Sequence, residues 1–312
     1  AGALALAAPA CQQLQADPRP QGPNATTDPD GANPKVPATM NPSAAWKEID
    51  RLLGEQKLQE AADRLAPLVA SARAAGDEAT WAKALVRQSQ VRTALGGLET
   101  AVAEMKAAAW PAGATARAAV ELYYAHALLE YLSGYSWEIR QRERVVSDEK
   151  LDLKAWTAEQ IAAEAERSFL AVWERREELG SVAVGDFPYL QANDFPKGIR
   201  DSLRDAVSYL FVERLLGDSS FWSASEANDV WQLDLGNLLA ERPDVPAGAV
   251  HPLLRAVAVL ADLEQWHRGR RELGAELQAY LHREALLSEH RQGEEDRRRR
   301  REALEQRLPR FR

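Results

Sequence analysis

From Pro42 to about Ser288 the apolar residues of this chain recur at intervals of three and four, and that period admits one kind of regular secondary structure, the α-helix. Leu58, Ala61, Ala62, Leu65, Leu68, Val69 and Ala72 trace one such stripe, and Val120, Tyr123, Tyr124, Ala127, Leu128, Tyr131 and Leu132 trace another. A half-buried strand would need a period of two. Val and Ile are sparse beside Ala, Leu, Glu, Arg and Gln, so local propensity agrees with the period. With 312 residues, 46% of them hydrophobic, the chain can fill one large core or two ordinary ones. The fold class read from the sequence is all-α.

Punctuation divides these stripes. Ser43 is placed to cap a first helix carrying Trp46, Ile49, Leu52 and Leu53, with Gly54 at its end. The second helix has Pro67 inside it, which predicts a kink, and Gly76 closes it. Trp81, Ala84, Leu85, Gln88, Val91 and Leu95 form a third stripe ending at Gly96, and Leu98, Ala101, Val102 and Met105 a fourth. Gly54, Gly96 and Gly134 recur at roughly 40-residue intervals, each after a Leu-rich helix end, a pattern that resembles tetratricopeptide-like helical hairpins stacked as a short solenoid over 43–145. Three unrelated hairpins with glycine C-caps are the alternative. A second helical block, 146–312, opens with Thr157 and Gln160 as a capping box. It continues through an aromatic loop with Phe187, Tyr189 and Phe195, a stripe from Ile199 to Leu215, and a long helix from about Val250 through Leu281. Beyond Ser288 only charge remains.

The first residues are of another kind. AGALALAAPAC is a small, apolar run ending at the chain's one cysteine, and it reads as the remainder of an export signal over 1–11. Leu6 to Cys11 resembles the lipobox of bacterial lipoproteins, Pro9 departing from the commonest pattern. In that chemistry the Cys11 thiol accepts acyl chains, each buried CH₂ contributing about 0.8 kcal/mol to membrane attachment. The alternative is an ordinary signal peptide cut at an Ala-x-Ala site. From 12 to 42 the chain holds seven of its 16 prolines and few large apolar residues, which is the composition of a tether. No apolar run approaches the roughly 20 residues of a membrane-spanning helix.

Catalytic signatures are hard to find. Gly180-Ser-Val-Ala-Val-Gly185-Asp186 has phosphate-loop glycine spacing but places an acid where the phosphate-binding lysine belongs. GxSxG, HExxH and CxxC do not occur. His282 and His290 lie eight residues apart, about 12 Å along a helix, too far to share a metal, and read as exposed polar positions. No carboxylate is flanked so as to mark a raised pKa. Arg297 to Arg301 is bracketed by Glu294, Glu295, Asp296 and Glu302, which suits a solvated helix face better than a nucleic-acid surface. Trp46, Trp81, Trp173 and Trp266 fall on apolar stripes and are assigned to packing. No catalytic residue, cofactor, metal or small-molecule substrate is called for.

Three stretches carry a family resemblance: Trp46-Lys-Glu-Ile-Asp-Arg-Leu-Leu, Leu153-Lys-Ala-Trp156-Thr-Ala-Glu-Gln160, and Asn193-Asp-Phe-Pro-Lys-Gly-Ile-Arg200 followed by Leu203 to Leu216. Over roughly 44–265 the chain resembles the helical N-terminal region of large bacterial alpha-2-macroglobulin family lipoproteins. The resemblance implies protease trapping in the periplasm by a whole of which this would be the leader. The sequence holds no Cys-Leu-Glu-Gln-type thioester motif and no β-rich macroglobulin segment, so it resembles the leader alone. The function expected is therefore non-catalytic: a lipid-anchored helical leader at the periplasmic face of the bacterial envelope, with downstream macroglobulin domains, proteases or envelope proteins as partners and no nucleic acid. A free-standing helical-repeat lipoprotein that binds protein or peptide partners is the alternative.

Overall fold

The computed structural model describes residues 41–142, 153–190, 193–246 and 250–311. The stretch read as a signal remnant and lipobox, Cys11 included, and nearly all of the Pro-rich stretch read as a tether lie outside the described residues. Within them the chain is all-helical, and the only β feature is an isolated antiparallel bridge between Ala183 and Ser202. No helix among the described residues is long and apolar enough to cross a membrane.

The first part runs α1 (Pro42–Gly54), α2 (Leu58–Ala75), α3 (Glu78–Ala94), α4 (Leu98–Ala107) and α5 (Ala114–Gly134). Asn41, rather than Ser43, caps α1: its side chain accepts from the Ser43 amide at 3.0 Å, which leaves Pro42 at the first helical position, where its missing N–H costs nothing. The second helix runs on through Pro67. Gly76 and Gly96 take the left-handed conformation that lets a helix end and the chain turn back at once. Gly54, Gly96 and Gly134 close α1, α3 and α5, so each interval of about 40 residues spans two helices. Helices α1 to α4 pack mainly on their neighbours in sequence, whereas α5 also packs on α3 and most of all on a helix that follows it.

Helix α3 divides its faces. Ala84 and Val91 belong to a small core with Ile49, Leu65 and Leu68, whereas Ala82, Leu85 and Val86 join the main core. Leu95, read as part of the stripe, is exposed. Helix α5 is buried all round, with Ala118, Leu122, Ala125 and Leu129 inside as well as the Tyr123–Leu132 stripe. It sits between α3 and α4 on one side and α7 (Ala158–Trp173) on the other, after the short α6 (Ser136–Ile139). Thr157 makes the expected capping box, with the Gln160 amide donating to its hydroxyl and the Gln160 side chain accepting from the Thr157 amide at 2.9 Å.

The main core continues without interruption from α3 to α13. After α8 (Arg176–Leu179) the aromatic loop packs down as its composition suggests, Tyr189 buried and its carbonyl accepting from Gln90 at 2.8 Å. Helix α9 (Leu203–Phe211) starts later than the Ile199 stripe suggests, at a capping box between Ser202 and Asp205. It then widens into a π-helical turn over Val212–Leu216. Short helices α10 (Ala224–Asp229) and α11 (Leu235–Leu239) lead to α12 (Pro252–Arg270) and α13 (Leu273–His290). The single long helix expected there is in fact two. Arg271, at φ 62°, closes α12 in the left-handed conformation, and the Glu272 amide reaches back to the His267 carbonyl at 3.0 Å. Residues past Ser288 form α14 (Glu294–Arg307), a charged helix, and a last short turn.

Candidate functional site

The π-turn shapes the region where a wide cleft forms. A π-helical turn widens the helix by one residue and leaves backbone carbonyls splayed, a feature that recurs at functional sites. The Gly217 amide closes the turn on the Val212 carbonyl at 2.8 Å, and a β-carbon at Gly217 would come within 2.8 Å of Leu286 and 3.0 Å of that carbonyl, so the turn needs glycine. On one side of it lies a cleft of about 760 Å³, bounded by the end of α5, one face of α7, α10 and the start of α12.

Its apolar wall is Leu215, Leu216, Phe221 and Trp222. Trp222 is fixed in place: its indole N–H donates to the Leu216 carbonyl at 2.9 Å, and its ring packs on His290 and edge-on to His251 at centroid distances of 4.6 and 5.1 Å. Both histidines are held in turn. His251 Nδ1 accepts from the Leu253 amide at 3.1 Å, capping α12, which assigns the ring proton to Nε2, and Nε2 donates to the Glu226 carbonyl at 2.8 Å. His290 Nε2 donates to the Gly217 carbonyl at 2.8 Å. Across the cleft Arg255 pairs with Glu166. Tyr135 and Trp137 flank the lining residue Ser136, and Trp137 is 77% exposed, the most exposed large apolar side chain among the described residues.

On the other side of the π-turn a smaller cavity of about 440 Å³ receives Glu213 and His282. Arg200 donates to Glu213 Oε1 at 2.8 Å and to His282 Nδ1 at 3.4 Å, so the imidazole proton sits on Nε2, itself 3.4 Å from Glu213. The guanidinium lies 3.5 Å from the Tyr209 ring centre. Burial and then the Arg200 charge push His282 down to about 4. Burial raises Glu213, against the pull of Arg200. These three side chains partner one another, although Arg200 Nε is left without an acceptor.

Other charged groups are drawn inward as well, and here the sequence reading needs correcting. His282 and His290 are partnered residues at helix contacts, not exposed positions. Burial also raises the carboxyls of Glu264 and Glu284, which periodicity did not flag. Glu264, fully buried, meets Arg283 at 2.9 Å and Arg307 at 2.6 Å, and buried Glu276 meets Arg268 at 3.0 Å and Arg310 at 2.7 Å. Arg204, also buried, pairs with Glu177 and Asp262, both at 2.8 Å. Gly180 is not a phosphate loop but a contact point, where a β-carbon would stand 2.6 Å from the Trp266 ring. Of the tryptophans assigned to packing, Trp46 lies under Lys83, Trp173 under Arg176, and Trp266 under Arg204 and Arg270. Arg298 pairs with Glu295 and Glu302, so that part of the basic run is compensated. Among the described residues no group of three His, Cys, Asp or Glu is placed to hold a metal ion.

Of the cleft residues, Trp222 falls on an irregular apolar stripe in the sequence, whereas Glu166 and Arg255, and Trp137 next to the lining Ser136, are not singled out by it. Trp137 left one trace: a large aromatic between Gly134 and the charged stretch Arg140-Gln-Arg-Glu-Arg144 has no stripe to belong to. Comparison with protein-family models, with curated proteins and with solved structures gave no match.

Proposed function

We propose that the chain is a non-catalytic helical scaffold, exported and held at the periplasmic face of a bacterial envelope by lipid on Cys11, that carries a protein partner in the cleft between α7 and α12. The cleft is the observation that carries this reading. Trp222 in its aromatic wall is held by a hydrogen bond, the cleft opens to solvent, and the exposed Trp137 follows its lining residue Ser136 in sequence, a make-up that supports a protein-binding anchor. The glycine-closed pairs α1–α2 and α3–α4 support the finer description of tetratricopeptide-like hairpins in a short solenoid. The resemblance of 44–265 to the leader of alpha-2-macroglobulin family lipoproteins names the partner: macroglobulin domains of the same protease trap.

Fractionation of cells making the full-length protein tests the anchor. The protein should sediment with membranes at a mass raised by its acyl groups, and Cys11→Ser should release it; a wild-type protein found free of membranes sinks the lipoprotein reading. A photoreactive residue in place of Ala163, on the α7 side of the cleft, tests the partner. Cross-links to macroglobulin domains encoded beyond Arg312 support the trap, whereas a stop codon after Arg312 overturns it and leaves a free-standing adaptor.

A further inference from the structure

The charges that face the cleft do not cancel. Among the described residues Glu166 is matched by Arg255, but Glu159, Asp218 and Glu226 also line the cleft, against Arg140. None of these three carboxylates takes part in an ion pair among the described residues. Their contacts are with neutral donors: Asp218 accepts from the Ser220 amide at 2.9 Å, Glu226 from the Ser223 amide at 2.7 Å and Glu159 from the Thr157 hydroxyl at 2.8 Å. A carboxylate has room for about four hydrogen bonds, so each keeps acceptor capacity directed at whatever fills the space. A carboxylate beside an apolar wall gains more from a cation than one in open water, because the wall lowers the local dielectric.

We infer that the cleft takes a basic, apolar-anchored polypeptide segment, a Lys or Arg flanked by bulky apolar side chains, whose cation meets Glu159, Asp218 and Glu226 while its apolar residues cover Phe221, Trp222 and Trp137. The charge complementarity fixes the sign of the occupant, and the aromatic surface fixes that it is amphipathic. Trp137 fixes its length. A small organic cation could fill the cleft, but it would leave the 77%-exposed indole uncovered; a polypeptide continues past Ser136 over it. The inference rests on the scaffold reading and adds the chemistry of the partner.

Substitutions at Glu159 and Glu226, and at Trp137, separate its parts without disturbing the fold. Glu226→Gln keeps the capping hydrogen bond to Ser223, since Gln serves as well as Glu at that position of a capping box, and removes the charge. Trp137→Ala removes a side chain that is mostly in water. Binding of a twelve-residue Leu/Lys amphipathic peptide to the full chain, followed by tryptophan fluorescence, should be at least tenfold tighter than binding of the Leu/Glu peptide of the same pattern, and should weaken as salt rises. The doubly substituted Glu159→Gln/Glu226→Gln protein should lose about tenfold in affinity for the basic peptide, and Trp137→Ala several-fold, with circular dichroism unchanged. Equal binding of the acidic peptide, or unchanged affinity in both variants, overturns the inference. If cross-links from Ala163 still reach the macroglobulin domains while these variants bind normally, the scaffold reading stands and the basic-segment inference alone fails.

Discussion

His267 stands between two carboxylates, its Nε2 2.8 Å from Asp205 and its Nδ1 2.8 Å from Glu272, so both ring nitrogens face acceptors. Burial alone would lower its pKa, but the two carboxylates outweigh burial and hold it above the usual histidine range. A folded-state pKa above the unfolded one, near 6.5, means stabilisation that is complete below that pH and lost as pH rises through the folded value. The difference in unfolding free energy between wild type and His267→Gln, from urea titrations, should therefore be largest below about pH 6 and shrink above it; a difference that grows with pH refutes the assignment. His126 and His282 carry the opposite sign: burial pushes each down to about 4, so each contributes stability above about pH 6.5 that is lost as pH falls towards 4. Imidazole proton resonances should show both neutral at pH 5 while His267 is charged. Arg283 makes a harsher case, being fully buried against a fully buried Glu264. Arg283→Met should cost about 3 kcal/mol in urea unfolding, and adding Glu264→Gln should recover part of it, because a buried carboxylate that keeps Arg307 but has lost Arg283, rather than the missing arginine, carries the penalty. None of this was legible in the sequence. His267 and Asp205 are 62 positions apart, and a helical period says which face a residue occupies, not which charge waits on the facing helix.

Helix by helix, the sequence was a good guide where the chain supplied its own punctuation. The Thr157–Gln160 box and the glycines at 76 and 96 needed only local chemistry. The break at Arg271 did not announce itself, because the left-handed residue there is an arginine, and the nearest glycine, Gly269, lies two residues inside α12. The π-turn was hidden for a similar reason: Leu215 and Leu216 keep a plausible helical stripe while the backbone widens beneath them. Helix α14 is legible as a charged helix, but its almost wholly polar composition hides what it does, which is electrostatic. It buries Asp296 alone, and the segment is held by Arg307 and Arg310 reaching into Glu264 and Glu276, with Arg291 pairing Asp296 at 2.7 Å. A helix secured by ions over a thin apolar contact should loosen before its neighbours. In hydrogen exchange the amides of α14 should open well before those of α12 and α13. Arg307→Ala/Arg310→Ala should speed that opening by at least tenfold, the effect of losing roughly 1.4 kcal/mol. Uniform protection across α12, α13 and α14 in the double variant would show that apolar packing holds α14 instead.

At the scale of the molecule, the helical class was readable because propensity and period agree over nearly the whole chain, whereas the way the helices share a core was not. The reading placed a boundary at 145 between hairpins and a second block, since the stripes pause there and the next begins at Thr157. Helix α5 complicates any separation at that point. A helix on the outside of a hairpin needs one apolar face, but α5 is apolar on every side, and one of those sides is occupied by Ile161, Ala165, Phe169 and the rest of the α7 stripe. Cutting after 145 would expose the flank that meets α7, at roughly 1.5–3 kcal/mol for each large apolar side chain uncovered, against a total stability of about 5–15 kcal/mol for a domain. Few such side chains are needed to exhaust it. A polypeptide of residues 41–145 should therefore show helical signal without a cooperative thermal transition and should self-associate through α5, while the full chain should unfold as one core, with far-ultraviolet circular dichroism and tryptophan fluorescence reporting the same midpoint. Two separated transitions in the full chain, the first matching an independently folded 41–145, would restore the boundary and make α5 and α7 an interface between domains instead of the middle of one.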